Sequence, residues 1–257
     1  MLRVISLGAG VQSTTLALMA AKGEIGPMPD CAIFADTQDE PQAVYKHLRW
    51  LQSGVLPFPI HVVTKGSLSE RLFEGDDEAR IPFYFEGGGL PNRQCTRNYK
   101  IRPIRAKVRE LLDTTKREAG MVEMWIGISA DEASRMKPSD VQYITHRWPL
   151  IEAMKSRRDC LKWLEDKGYP KPPRSACVYC PYKSDQEWRD LRASPNDWEL
   201  AVSVDKRLRD SPMAERLGGK MYAHRSQVPL DQVDLSTAED RGQLNLFNNE
   251  CEGMCGI

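Results

Sequence analysis

The stretch Leu2-Arg3-Val4-Ile5-Ser6-Leu7-Gly8-Ala9-Gly10-Val11-Gln12-Ser13-Thr14-Thr15 decides the fold. Val4, Ile5 and Leu7 form the apolar run of a buried strand, and Gly8-Ala9-Gly10 reads as a tight turn. Ser13, Thr14 and Thr15 then open a helix that continues through Leu16–Ala21 and stops at Gly23. A strand, a small-residue loop and a helix N-terminus together form an anion site. The loop lets backbone N–H groups approach an oxyanion, the helix end adds partial positive charge, and hydroxyls donate further bonds. An ordinary strand-to-helix turn accounts for the glycines equally well, so the rest of the chain has to decide.

Outward from this stretch the pattern repeats. Cys31-Ala32-Ile33-Phe34-Ala35 reads as a second buried strand ending in Asp36-Thr37-Gln38-Asp39-Glu40-Pro41. Pro41 suits the first turn of a helix with Asp39 as its N-cap, and Val44, Leu48 and Leu51 give that helix an apolar stripe. Ile60–Thr64 is a third strand and 122–128 a fourth. Strands alternating with helices at this spacing predict an α/β fold with a Rossmann-like parallel sheet flanked by helices, with ligands at the strand carboxyl ends. The opening loop, Asp36-Thr37, and the polar run Ser129–Arg135 all lie at such ends. Residues 65–92 read as an irregular loop. The expected organisation is a ligand-binding α/β domain over 1–150 and a helical, cysteine-containing extension over 151–257, packed as one unit with the first and ending in a flexible tail.

Bulk composition narrows the function. Lys+Arg and Asp+Glu balance at 36 each over 257 residues, so no global field favours nucleic acid or a membrane surface. No apolar segment is long enough for a signal peptide or a membrane span, which points to the cytoplasm. In such a reducing compartment seven cysteines suit metal or redox chemistry better than disulfides. Cys177-Val178-Tyr179-Cys180 puts two thiolates within reach of one soft metal centre. The nearest upstream cysteines, Cys160 and Cys95, are scattered, which favours an iron–sulfur cluster over a compact zinc ribbon and, third, over a thioredoxin-like dithiol. Every charged residue from Arg93 to Arg109 is basic. Arg97 and Lys100 precede the helix begun by Pro103 and suit a sulfate or phosphate, whereas Lys107 and Arg109 read as surface charge. Asp131 and Glu132 fit helix capping as well as ligand binding. Met221–Arg225 either brings a cation towards the site or lies on the surface. Cys251 and Cys255, framed by Gly253 and Gly256, read as a mobile tail that delivers a thiolate.

Several motifs now coincide in order along the chain. Gly8-Ala9-Gly10-Val11-Gln12-Ser13-Thr14 resembles the PP-loop of the N-type ATP pyrophosphatase and phosphoadenosine-phosphosulfate (PAPS) reductase superfamily (adenine nucleotide alpha hydrolases), with Gln12 where the pyrophosphatases carry Asp. Asp36-Thr37-Gln38 is similar to the second-strand Asp-Thr-Gly. Cys95-Thr96-Arg97 with Lys100, Ile101 and Pro103 resembles the Cys-Cys-x-x-Arg-Lys-x-x-Pro stretch of sulfonucleotide reductases, one cysteine lacking. Gly127-Ile128 with Asp131, Glu132 and Arg135 looks like the Gly-x-Arg-x-x-Glu-x-x-Arg segment, and Cys177-x-x-Cys180 like the cluster-binding pair. Glu250-Cys251 looks like the start of the reductases' C-terminal Glu-Cys-Gly-Leu-His, with Leu-His absent and Cys255 following.

The resemblance implies an adenine nucleotide, ATP or PAPS, held by Ser6, Gly8, Ala9, Gly10, Gln12, Ser13, Thr14, Asp36, Thr37, Gly127, Asp131 and Arg135. Mg2+ would accompany ATP. It implies a 4Fe-4S cluster, with zinc as the alternative, on Cys95, Cys160, Cys177 and Cys180, where Cys255 competes with Cys160 for the fourth place. Arg97, Lys100, Cys251 and Cys255 become the catalytic groups of a PAPS reductase-family enzyme of sulfur metabolism. The alternative is an ATP pyrophosphatase, or AMP-forming sulfurtransferase, that adenylates a tRNA, DNA or small-molecule acceptor for thiolation. A third reading is a non-catalytic nucleotide- or nucleic-acid-binding module with a structural metal. The partners these readings admit are a reductant or sulfur-donor protein, a nucleic-acid acceptor and a second copy of the chain, with no membrane.

Overall fold

The computed structural model describes residues 1–86, 88, 92–113, 118–237 and 240. In chain order its regular elements are β1 (Leu2–Leu7), α1 (Val11–Ala21), β2 (Cys31–Asp36), α2 (Gln42–Trp50), β3 (Ile60–Thr64), α3 (Leu68–Phe73), β4 (Tyr84–Phe85), α4 (Arg102–Leu112), β5 (Val122–Ile126), β6 (Ile144–Arg147), α5 (Pro149–Glu152), α6 (Arg157–Asp166), α7 (Asp185–Arg192), α8 (Pro195–Arg209), α9 (Pro212–Leu217) and β7 (Met221–Tyr222). Contacts divide the chain into two compact units, one of Met1–Gly66 with Arg97–Ser175 and one of Ser67–Thr96 with Ala176–Ile257. Residue 150, where the sequence suggested a boundary, therefore lies inside the first unit. Residues 67–96 belong with the C-terminal part of the chain.

The first unit is the expected α/β body. Its sheet runs β3-β2-β1-β5-β6, and every neighbouring pair is parallel, in registers such as Val4 with Cys31 and Val4 with Met124. Strands buried on both faces must be apolar along their length, and β2 is buried at every position from Cys31 to Ala35. The alternation of side chains sorts the core into two layers. Ile5, Leu7, Ala32, Phe34 and Trp125 meet α1, Val44 and Leu48 of α2, and Cys160 and Leu164 of α6 on one face. Val4, Cys31, Ile33, Val122, Met124 and Ile144 meet Ile104 and Val108 of α4 on the other. Helices thus cover both faces, and the chain order reverses direction between β1 and β5. That reversal is the topological switch point, where the crevice outside the strand ends is open to a ligand.

Local chemistry sets several boundaries differently from the sequence reading. Helix α1 begins at Val11, two residues before Ser13, because Gly10 takes the extended cap conformation. Pro41 rather than Asp39 occupies the N-cap place of α2, and Asp39 is buried. A π-type turn over Thr96–Ile101 precedes α4, and Pro103 sits in that helix's first turn as expected.

In the second unit, the stretch read as an irregular loop contains α3, capped by the Ser67 hydroxyl accepting from the Glu70 N–H, and β4. β4 pairs antiparallel with β7, Tyr84 opposite Tyr222. Asp205 of α8, buried, accepts from the N–H groups of Ala223 (2.8 Å) and Leu230 (2.9 Å) and pairs with Arg209. One carboxylate thereby fixes the chain on either side of His224. His224 is itself buried and hydrogen-bonded to Asp185 at 3.0 Å, which Arg225 also pairs at 2.6 Å. Burial pushes the Asp185 carboxyl up, but these bonds and the Arg225 charge outweigh it and hold the group low. The Met221–Arg225 run therefore serves this internal network.

Candidate functional site

The first unit's candidate site lies at the switch point. β1 ends at Leu7, with Ser6 paired between Ile33 and Ile126. The chain then turns through Gly8, Ala9 (φ 57°) and Gly10 into α1. Ala9 holds a left-handed conformation while buried, a costly backbone state for a residue with a Cβ. The loop is tied to its own helix: the Gly8 N–H donates to Ser13 Oγ at 3.2 Å, and Ser13 Oγ donates back to the Gly10 carbonyl at 3.3 Å. No side chain caps α1, and its first turn carries no acid. The helix end therefore presents uncapped N–H groups and its partial positive charge to the crevice.

The end of β5 closes against this turn. A Cβ on Gly127 would lie 2.8 Å from the backbone N and Cα of Ser13 and 3.1 Å from the Gln12 carbonyl carbon. Only glycine lets the two backbones approach so closely. Beyond it Gln12 Nε2 donates to Glu132 Oε2 at 3.1 Å and to Ser129 Oγ at 3.5 Å, and Glu132 pairs with Arg135 at 2.7 Å. Gln12, Gly127, Glu132 and Arg135 are thus one constellation on the two sides of the switch point. Sequence reasoning placed Glu132 in the motif but not among the nucleotide-binding residues, and it did not single out the fully buried Ser129. Asp131, one position away, is used differently: its Oδ1 accepts from the Arg157 N–H at 3.0 Å and pins the start of α6. Ser175 also approaches the loop, close to where Cβ atoms on Gly8 and Gly10 would sit.

Thr14 is fully buried, and its hydroxyl is within 3.1 Å of His47 Nε2. Burial pushes the His47 imidazole down to about 4, so it is neutral at physiological pH and braces α1 as a hydrogen-bonding wedge, its ring tilted against Trp50. At the end of β2, Asp36 Oδ1 accepts from the Tyr45 hydroxyl and the Gln38 N–H, both at 2.8 Å. Thr37 is buried beside them. Lys100 donates to Glu40 Oε1 at 2.8 Å; the Glu40 side chain is fully buried, and its Oε2 has no hydrogen-bond partner. Lys100 thus neutralises a buried carboxylate at the strand ends, which no sequence motif signalled. Arg97 is exposed and, together with Arg105, acts on Asp140.

The cysteines separate. Cys160 lies in the hydrophobic core of the first unit, and burial raises its thiol to about 11, partly offset by a hydrogen bond with Thr15. That is the environment of a packing thiol. Cys95, Cys177 and Cys180 share the second unit. Cys177 and Cys180 stand in one turn, the Cys180 N–H donating to the Cys177 carbonyl at 2.9 Å. Burial raises the Tyr182 hydroxyl, Arg93 pulls it down, and Cys180 and Cys95 both push it up further, so Cys95 and Cys180 act on one tyrosine. Among the described residues, however, no three His, Cys, Asp or Glu side chains are gathered closely enough to hold a metal ion. Cys251 and Cys255 lie outside the described residues.

No family model and no curated protein matches the sequence. Among solved structures, the phosphoadenylyl-sulfate (PAPS) reductase from Candida auris, in its phosphate complex, is similar over 66% of this chain and 74% of that one, at 16% identity and a TM-score of 0.47. Among the described residues no helix is long and apolar enough to cross a membrane. Fold and site together define an α/β protein with a parallel sheet and an uncapped, acid-free helix N-terminus at its switch point.

Proposed function

We propose that this protein is an adenine-nucleotide-binding enzyme of sulfur chemistry, acting on a sulfonucleotide such as PAPS. One observation carries the reading: an uncapped, acid-free helix N-terminus stands at the switch point, with β5 held against it by an obligatory glycine. Such a place favours a phosphate or sulfate over a neutral group. Gln12 adds no negative charge beside the anion, and it supports the sulfonucleotide because the ATP pyrophosphatases carry Asp at that place. Arg135 and Lys100 supply cationic side chains at the same strand ends, each already paired with a carboxylate.

In the reaction proposed, the Cys251 thiolate attacks the sulfur of the bound sulfonucleotide. A sulfur–sulfur bond forms, the sulfur–oxygen bond to the 5′-phosphate breaks, and the adenosine bisphosphate leaves with that electron pair. A dithiol reductant then attacks the Cys251 sulfur, releases sulfite, and is itself oxidised to a disulfide. The test is anaerobic incubation of the full chain with PAPS and a dithiol, and separately with ATP and Mg2+. Sulfite from PAPS, lost in Cys251→Ser while nucleotide binding persists, is the expected result. Pyrophosphate from ATP would replace this reading with acceptor adenylation, and neither product would leave a binding module.

A further inference from the structure

We infer that the outer face of α4 is a docking surface for a nucleic-acid strand, separate from the switch-point crevice. Arg102, Arg105 and Arg109 line one groove together with Val141 and Tyr143. The helix is amphipathic in the sense this requires. Ile104 and Val108 are buried against the sheet, Arg102 and Arg109 are exposed, and Arg105 is partly so. The three arginines recur at i, i+3 and i+7 and so form a row along about 10 Å of helix, at ~1.5 Å per residue. Phosphates along a stacked strand follow one another at roughly 3.4 Å of rise, so the row spans about three of them. Guanidinium groups bind phosphate oxygens through two parallel bonds, and Val141 with Tyr143 offers an apolar wall for the sugars.

The local charge is out of proportion to the whole chain, whose formal net charge is zero. Asp140 meets this face, where Arg105 pairs it and the Arg97 charge also acts on it. Lys107 turns to Glu110 at 2.5 Å on the same helix. An acidic peptide presents no sugar for the apolar wall and no phosphate for the two-pronged guanidinium contact, so the row fits a phosphodiester backbone better.

The experiment is fluorescence anisotropy of the full chain with labelled 20-mer single strands of RNA and DNA over a series of salt concentrations. The wild type is expected to bind with a salt-dependent affinity. Arg102→Gln/Arg109→Gln is expected to flatten the slope of log affinity against log salt by about 1.4, at ~0.7 per lost phosphate contact. At about 0.1 M salt that corresponds to an affinity loss on the order of tenfold or more. The charge-matched control Lys46→Gln/Arg49→Gln, on exposed positions of α2, is expected to keep the wild-type slope. Should the double variant fail to fold, Arg109→Gln alone carries the test, with a slope change of about 0.7. The inference is overturned if neither strand binds, if both double variants change the slope alike, or if a polyglutamate peptide competes as well as the unlabelled strand. PAPS binding at the crevice is a separate readout, so either result leaves the proposed function standing or falling by itself.

Discussion

At the scale of single residues, Gly127 and Gln12 carry the site. A Cβ on Gly127 would strike backbone atoms of Ser13 and Gln12, which cannot swing aside as a flexible side chain can. Gly127→Ala is therefore expected to lose about 1–3 kcal/mol of stability, the range for overpacking. Gly8→Ala, whose Cβ would stand 3.7 Å from the nearest atoms, should cost less. Urea denaturation of both variants checks the contrast. The sequence presented Gly127 only as part of a weak motif, since nothing local tells a close approach from an ordinary loop glycine.

His47 gives a pH signature. Its folded-state value is lowered by burial to about 4, below the ~6.5 of an unfolded chain. The unfolded state therefore takes up the proton first, and stability falls as pH drops from about 6.5 towards 4. Near pH 5 the loss attributable to His47 is about 2 kcal/mol. His47→Gln should remove most of that slope between about pH 7 and 5 in chemical denaturation. A wild type equally stable at both values would contradict the buried, neutral imidazole.

At the scale of elements, the strands were legible and the short pieces were not. β1, β2 and β5 announce themselves because a strand buried on both faces must be a largely continuous apolar run, and the edge strand β3, only partly buried, shows through its β-branched Ile60, Val62, Val63 and Thr64. α3 and β4 sit in 65–92 without such a signal. α3 depends on its Ser67 cap, and β4 on a partner, β7, far along the chain. Capping chemistry is local, yet it shows only once the helix start is known. α7 opens on a reciprocal box in which the Ser184 hydroxyl accepts from the Glu187 N–H and the Glu187 carboxylate accepts from the Ser184 N–H. This cap ends the turn that follows Cys177 and Cys180. Ser184→Ala is expected to cost about 1 kcal/mol, read as earlier unfolding of the second unit in hydrogen exchange, with α1 and α6 little affected.

At the scale of the whole molecule, the α/β class and the parallel sheet followed from the alternation of strand and helix patterns, but the division into units did not. The chain leaves the first unit at 67 and returns at 97, and no composition shift marks either point. The candidate site was legible where it rests on strand ends and small residues: the Gly8–Thr14 loop, Gly127 and Arg135. It was hidden where it rests on long-range pairing. Glu40 meets Lys100 across the fold, and Glu132 rather than Asp131 reaches Gln12. Cys160 looked like a ligand because spacing cannot distinguish a thiol on the core side of a helix from one at a site.

The central claim is that an anionic nucleotide sits on the N-terminus of α1. Calorimetric titration of PAPS into the full chain and into Gln12→Glu tests it most directly. A carboxylate in the first turn of a helix suits the helix end, which offsets the lost hydrogen bond from the Gln12 amide to Glu132, and the variant's melting temperature verifies that it keeps its fold. The same carboxylate would repel the ligand's anion. The expected result is one site per chain in the wild type and affinity weakened at least tenfold, about 1.4 kcal/mol or more, in Gln12→Glu. No binding by the wild type, or equal affinity in the two proteins, would contradict the claim.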